Sequence, residues 1–86
     1  MTINEALDDY EKSAQEYVDA KNLYRNTKSE MFLKIIEESE KKPSDSVISA
    51  KLDSNTKLQL LRAERDKREI KMIACRMAAE AVVEGW

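Results

Sequence analysis

The chain has no histidine and only one cysteine, one glycine and one proline among its 86 residues, and each shortage removes a class of structure. Cys75 alone forms no internal disulfide, and without histidine it leaves no zinc ligand set. Gly85 and Pro43 leave little for tight turns, so a sheet built on hairpins is excluded. No glycine precedes position 85, which rules out a glycine-rich phosphate loop, and no nucleophile has a histidine base. Catalysis, cofactors and resident metals are therefore not expected. The chain has no run of 18 apolar residues, so no membrane contact is expected. The opening "MTINEALDDYEK" lacks the basic-then-apolar order of a secretory signal, which leads to an expectation of a cytoplasmic protein.

What is present is charge and helix-forming residues. Charged side chains make up 37% of the chain, and with abundant Ala, Glu, Lys and Leu they favour helix. The net charge of -2 conceals an asymmetry. Residues 1–20 hold six acids (Glu5, Asp8, Asp9, Glu11, Glu16, Asp19) against Lys12 alone. Residues 51–76 hold eight bases (Lys51, Lys57, Arg62, Arg65, Lys67, Arg68, Lys71, Arg76) against four acids. Folded back on itself, such a chain lays an acidic arm along a basic one; parallel copies of one arm would repel.

The fold class this predicts is all-α: a long antiparallel, coiled-coil-like helical hairpin in a single domain spanning 1–86, with a short helix or kink after the turn. Thr2-Ile3-Asn4-Glu5 is a capping-box start, and the first helix is expected over about 3–40, roughly 57 Å long. Its apolar residues form one column at Ile3, Tyr10, Tyr17, Tyr24 and Met31. A second column, Leu7, Ala14, Lys21, Lys28 and Ile35, turns polar in its middle. "ESEKKPSDS" places a turn at about 41–45, where Pro43 disfavours helix at Lys42 and Ser44 or Asp45 can cap a new start. A short helix over about 46–52, an interruption at "DSNT" and a second long helix over about 55–84 follow.

Two faces of that last helix are apolar. One carries Ala63, Ile70, Ile73, Ala74, Met77 and Ala81, and the other Leu58, Leu61, Met72, Cys75, Ala79 and Val82. The expected packing seam takes Ile3, Leu7, Tyr10, Tyr17 and Met31 from the first helix and Ile70 and Met77 from the second. At its middle Lys21 and Arg25 should meet the charged stretch "RAERDKREIK" in a polar waist. A two-helix hairpin buries one stripe per helix, so a homo-oligomer is expected to cover the rest.

The tyrosines, seven apart, read as seam residues; beside the acids around Tyr10 and Tyr17 a nucleic-acid strand would be repelled. Tyr24, next to Arg25 and Lys28, is the ring that could serve as a contact. The candidate interaction surface is accordingly Arg62, Arg65, Arg68, Arg76, Tyr24 and Arg25, facing a protein partner or, weakly and indirectly, single-stranded nucleic acid. Exposed apolar edges at Phe32, Ile36, Val47, Ile48, Val83 and Trp86 suit recognition between helices, and Trp86 could also anchor onto Ile3 and Leu7.

The stretch "KPSDSVISAKLDSNTKLQLLRAERDKREIKMIACRMAAEAVVEGW" resembles small phage-encoded helical hairpin proteins of replication and recombination gene clusters, with a break, an Asn-bearing turn, an E/R-rich helix and a late Ala-rich segment. The resemblance implies an accessory factor acting with single-stranded DNA replication or recombination proteins in a host cytoplasm. It transfers no site residues. An inhibitor of a host defence nuclease and a structural coiled-coil spacer are the other readings that the chain allows.

Overall fold

The computed structural model describes residues 2–39, 41 and 43–85. Its three helices are α1 (Ile3–Glu38), α2 (Asp45–Asp53) and α3 (Thr56–Glu84). α1 and α3 pack antiparallel into a hairpin 63 Å long and 17 × 16 Å across. The expected all-α hairpin with a short helix after the turn is the observed architecture. No described helix is long and apolar enough to cross a membrane.

Each helix boundary has a local cause. At the start of α1 the Thr2 hydroxyl accepts from the Glu5 N–H at 3.1 Å. α1 stops at Glu38, two residues short of the expected end. There Ser39 turns extended and its Oγ donates back to the Ile35 carbonyl. Glu40, Lys42 and Trp86 lie outside the described residues, and with them the proposed effect of Pro43 on Lys42 and the docking of the terminal indole. Ser44 caps α2, accepting from the Val47 N–H. The "DSNT" interruption is a full break, in which Ser54 closes α2 and the Asn55 Oδ1 accepts from the Leu58 N–H at 3.1 Å to start α3. The Gln59 side chain then donates to the Asp53 carbonyl at 2.8 Å, tying α3 to the end of α2 across that break. Gly85 caps α3 with φ at -74°, in the right-handed region, so its position does not require glycine.

The core is concentrated at the turn end. Ile48 and Leu52 of α2 pack with Tyr24 of α1 and Leu58 of α3, and Met31, Ile35 and Leu61 lie against them. Burying one such side chain contributes about 1.5–3 kcal/mol, so α2 acts as a brace that fixes the turn. At the free ends the buried side chains are Ala6 and Ala79, which contribute far less. Ile48, expected at an exposed edge, is 4% exposed and belongs to this core.

Along the hairpin, the inner positions of α1 from Ile3 to Met31 step alternately by three and four, with Ala14 and Glu16 half-buried beside them. The tyrosine column is as expected, with Ile3, Tyr10, Tyr17 and Met31 half-buried and Tyr24 buried. Of the expected second column, Ala14 and Ile35 are half-buried, but Leu7, Lys21 and Lys28 are exposed, and the small residues Ala6, Ser13, Ala20 and Thr27 take the inner positions beside the tyrosines. Small side chains at a contact allow helix axes to approach more closely, and a long side chain there would hold them apart. Leu7 is therefore largely exposed, and the Ser13 hydroxyl, 2% exposed, donates to the Tyr10 carbonyl at 2.9 Å.

On α3 the seam is Leu58, Leu61, Arg65, Arg68, Met72, Cys75, Ala79 and Val82, the second of the two apolar faces. Ile70 and Met77 are 69% and 62% exposed and lie outside the contact within the chain. The reason is register: the hairpin needs arginines at positions 65 and 68 facing Tyr24 and Glu16, and a helix that turns those inward turns Ile70 and Met77 out.

Candidate interaction surface

The middle of the hairpin is assembled around Tyr24. Its ring is 8% exposed, and three cations converge on it: Arg65 at 4.8 Å from the centroid, Arg62 at 5.7 Å and Lys28 at 5.8 Å. Arg62 Nη2 also donates to the Tyr24 hydroxyl at 2.9 Å. That hydrogen bond lowers the Tyr24 pKa below its ordinary value; burial opposes the shift and the charges of Lys28, Arg62 and Arg65 add to it. The same bond raises the pKa of Arg62. Tyr24 is thus no open ring for a ligand, since its face and its hydroxyl are already occupied by its own chain.

About two helical turns toward the free ends, Glu16 takes the corresponding place. Arg68 Nη1 donates to its Oε2 at 3.0 Å and Lys71 Nζ to the same oxygen at 3.3 Å. The bond from Lys71 lowers the Glu16 pKa most, against burial, with Arg68 adding to the effect. Arg68 Nε donates to Glu64 at 2.7 Å, the main cause of its raised pKa. Arg65 donates twice to Asp66, at 3.0 and 3.1 Å, Arg62 lies 3.8 Å from Asp53, and Arg76 lies 3.9 Å from Glu80.

The six proposed surface residues therefore separate. Arg62, Arg65 and Tyr24 form one cluster, and Arg68 joins the neighbouring Glu16 group. Arg76 stands two turns further along α3, paired on its own helix. Arg25 is exposed on α1 outside the cluster, as is Lys21, so neither enters the waist expected of them. The waist exists, but α1 supplies it with Tyr24 and Glu16. Glu16 escaped the sequence reading because it belongs to neither heptad column; its signal was its place opposite the densest run of bases.

Two apolar grooves flank the waist. Near the turn Phe32, Leu33 and Leu52 with Lys28 and Ser29 line a hollow of about 390 Å³. Near the free ends Leu7, Tyr10, Ala79 and Val83 line another of about 460 Å³, rimmed by Arg76, Glu80 and Glu84. Among the described residues no group of three Asp, Glu or Cys side chains is placed to hold a metal ion. The chain matches no protein-family model, no curated protein and no solved structure.

Proposed function

We propose that the chain is a non-enzymatic helical interaction protein that works through contact with another protein. The observation carrying this reading is that Arg62, Arg65, Arg68 and Arg76 each pair with an acid of the same chain, while Phe32, Leu33 and Val47 stand exposed near the turn. Phosphates would have to displace ion pairs already made, whereas an apolar helix laid on Phe32 and Leu33 displaces only water. Action beside single-stranded DNA replication or recombination proteins, the setting that the phage resemblance implies, then runs through the protein, with DNA held indirectly. The test is capture by the tagged chain from a host extract with and without nuclease, followed by titration of the purified partner. Capture should survive nuclease, and Phe32→Glu should weaken the partner by at least about tenfold, since it places a carboxylate in an apolar contact. Capture that vanishes with nuclease overturns the reading, and absence of any partner leaves the spacer.

A second reading is favoured by the first turns of α1, where Glu5, Asp8, Asp9 and Glu11 are all exposed and, among the described residues, make no ion pair. An acidic rod of this kind fits a basic channel, as an inhibitor of a host defence nuclease would require. It predicts tight 1:1 binding to a basic protein, with an on-rate that falls steeply as salt rises.

A further inference from the structure

α3 carries a second heptad line on the side away from α1. Leu60, Ala63, Ile70, Ala74, Met77 and Ala81, with Lys67 between, step by three and four along its outer side. This line is offset by two residues from the seam, which on an α-helix rotates it by about 160°. Every member is exposed, and Ile70 (69%), Leu60 (67%) and Met77 (62%) are the three most exposed large apolar side chains among the described residues. Scattered exposed leucines are ordinary, but a 22-position line in coiled-coil spacing is the pattern of a helix with two packing partners. Inside the chain it has one.

We propose that this outer line of α3 is a dimer seam that takes the α3 of a second copy of the chain, running antiparallel. The proposal concerns the purified chain alone and goes beyond the partner reading above. Charge and size choose this occupant and direction. In the antiparallel register that sets Leu60 against the second copy's Met77, Ala63 falls against Ala74, and Ile70 against the aliphatic stem of Lys67. Large residues meet large ones and small meet small. On the flanks Glu64, held by Arg68 of its own chain, faces the second copy's Lys71, held by Glu16, and Asp66 faces Ile73, so opposite charges adjoin and no like-charge pair forms. A parallel pair would stack Lys67 on Lys67 at the centre of the seam and bring the most basic stretches of both copies side by side. The dimer is a flat row of four helices, with the two α3 helices inside and the two α1 helices outside. It also gives the chain the second core that its small buried interior lacks.

The experiment uses the full chain. Light scattering and sedimentation at tens of micromolar should give a mass near twice 9.9 kDa. Leu60→Glu should return it to monomer, raising the dissociation constant at least about 100-fold while far-UV circular dichroism stays helical, since a carboxylate would be buried against the second copy's Met77. A wild-type monomer at these concentrations overturns the proposal, as does a dimer that Leu60→Glu leaves intact. Direction is read separately by cysteine pairing in a Cys75→Ala background. The Ala63→Cys, Ala74→Cys protein should form a disulfide dimer, and Ala63→Cys alone should not. Crosslinking by Ala63→Cys alone, or none with both, overturns the antiparallel register.

Discussion

Tyr24 is the residue on which the hairpin's polar and apolar halves meet, because its ring closes the core at the turn and its hydroxyl starts the waist. These roles separate by substitution. Tyr24→Phe keeps the ring and removes one charge-assisted hydrogen bond, so urea unfolding should show a loss of about 1–2 kcal/mol. Tyr24→Ala removes the ring as well and should cost about 3–5 kcal/mol, as large aromatic deletions do. The lowered pKa adds a spectroscopic check: an absorbance titration should show one phenol ionising below the ordinary tyrosine value, absent from Tyr24→Phe. Glu16 gives the acid-side counterpart. Its folded pKa lies below the ordinary glutamate value, so its stabilisation is complete above the unfolded pKa and is lost as pH falls through the folded one. Thermal melts should therefore show Glu16→Gln less stable than wild type at pH 7, with the gap closing in acid. A gap that persists unchanged below that range would mean the carboxylate contributes packing alone.

At the scale of elements, the hairpin is set by its breaks. Asn55 supplies the cap that lets α3 begin with only two residues between it and α2, and Asn55→Ala should cost about 1 kcal/mol, within the usual span for a lost cap. Signals of this kind were legible in the sequence because they are local: Thr2, Ser44 and Asn55 act on residues three positions away. The tyrosine column was legible too, since seven-residue spacing survives any choice of partner. Its companion column was legible only at Ala14 and Ile35. Hydropathy favours Leu7 over Ala6 and Ile70 over Arg68, whereas the antiparallel contact selects small residues on α1 and arginines that reach Tyr24 and Glu16 on α3. Which face turns inward depends on pairs 38 and 52 residues apart, and no local pattern carries that information. Substitution can check the outcome. Leu58→Ala, in the core, should cost about 2–5 kcal/mol, while Ile70→Ala, measured dilute enough to keep the chain monomeric, should stay within about 0.5 kcal/mol.

For the whole molecule, an acidic helix lies along a basic one, and the arginines that could meet phosphate also hold the hairpin together. Arg62 and Arg68 bridge from α3 to Tyr24 and Glu16 on α1, and Arg65 covers the Tyr24 ring. With a net charge of -2 the chain offers single-stranded DNA little overall attraction. Binding measured by anisotropy should be no tighter than roughly micromolar at physiological salt and should weaken steeply as salt rises, because counterion release is the main driving term. Replacing Arg62, Arg65 and Arg68 with glutamine should abolish that residual binding and lower the melting temperature together, since the same guanidinium groups serve both. Lys57→Gln with Lys21→Gln, two exposed bases outside the ion pairs found among the described residues, is the control for bulk charge and should leave the melting temperature unchanged. If instead the triple arginine variant loses nanomolar DNA binding at an unaltered melting temperature, then those arginines are held for phosphate, and their pairing with Tyr24, Glu16 and Asp66 is not what stabilises the hairpin.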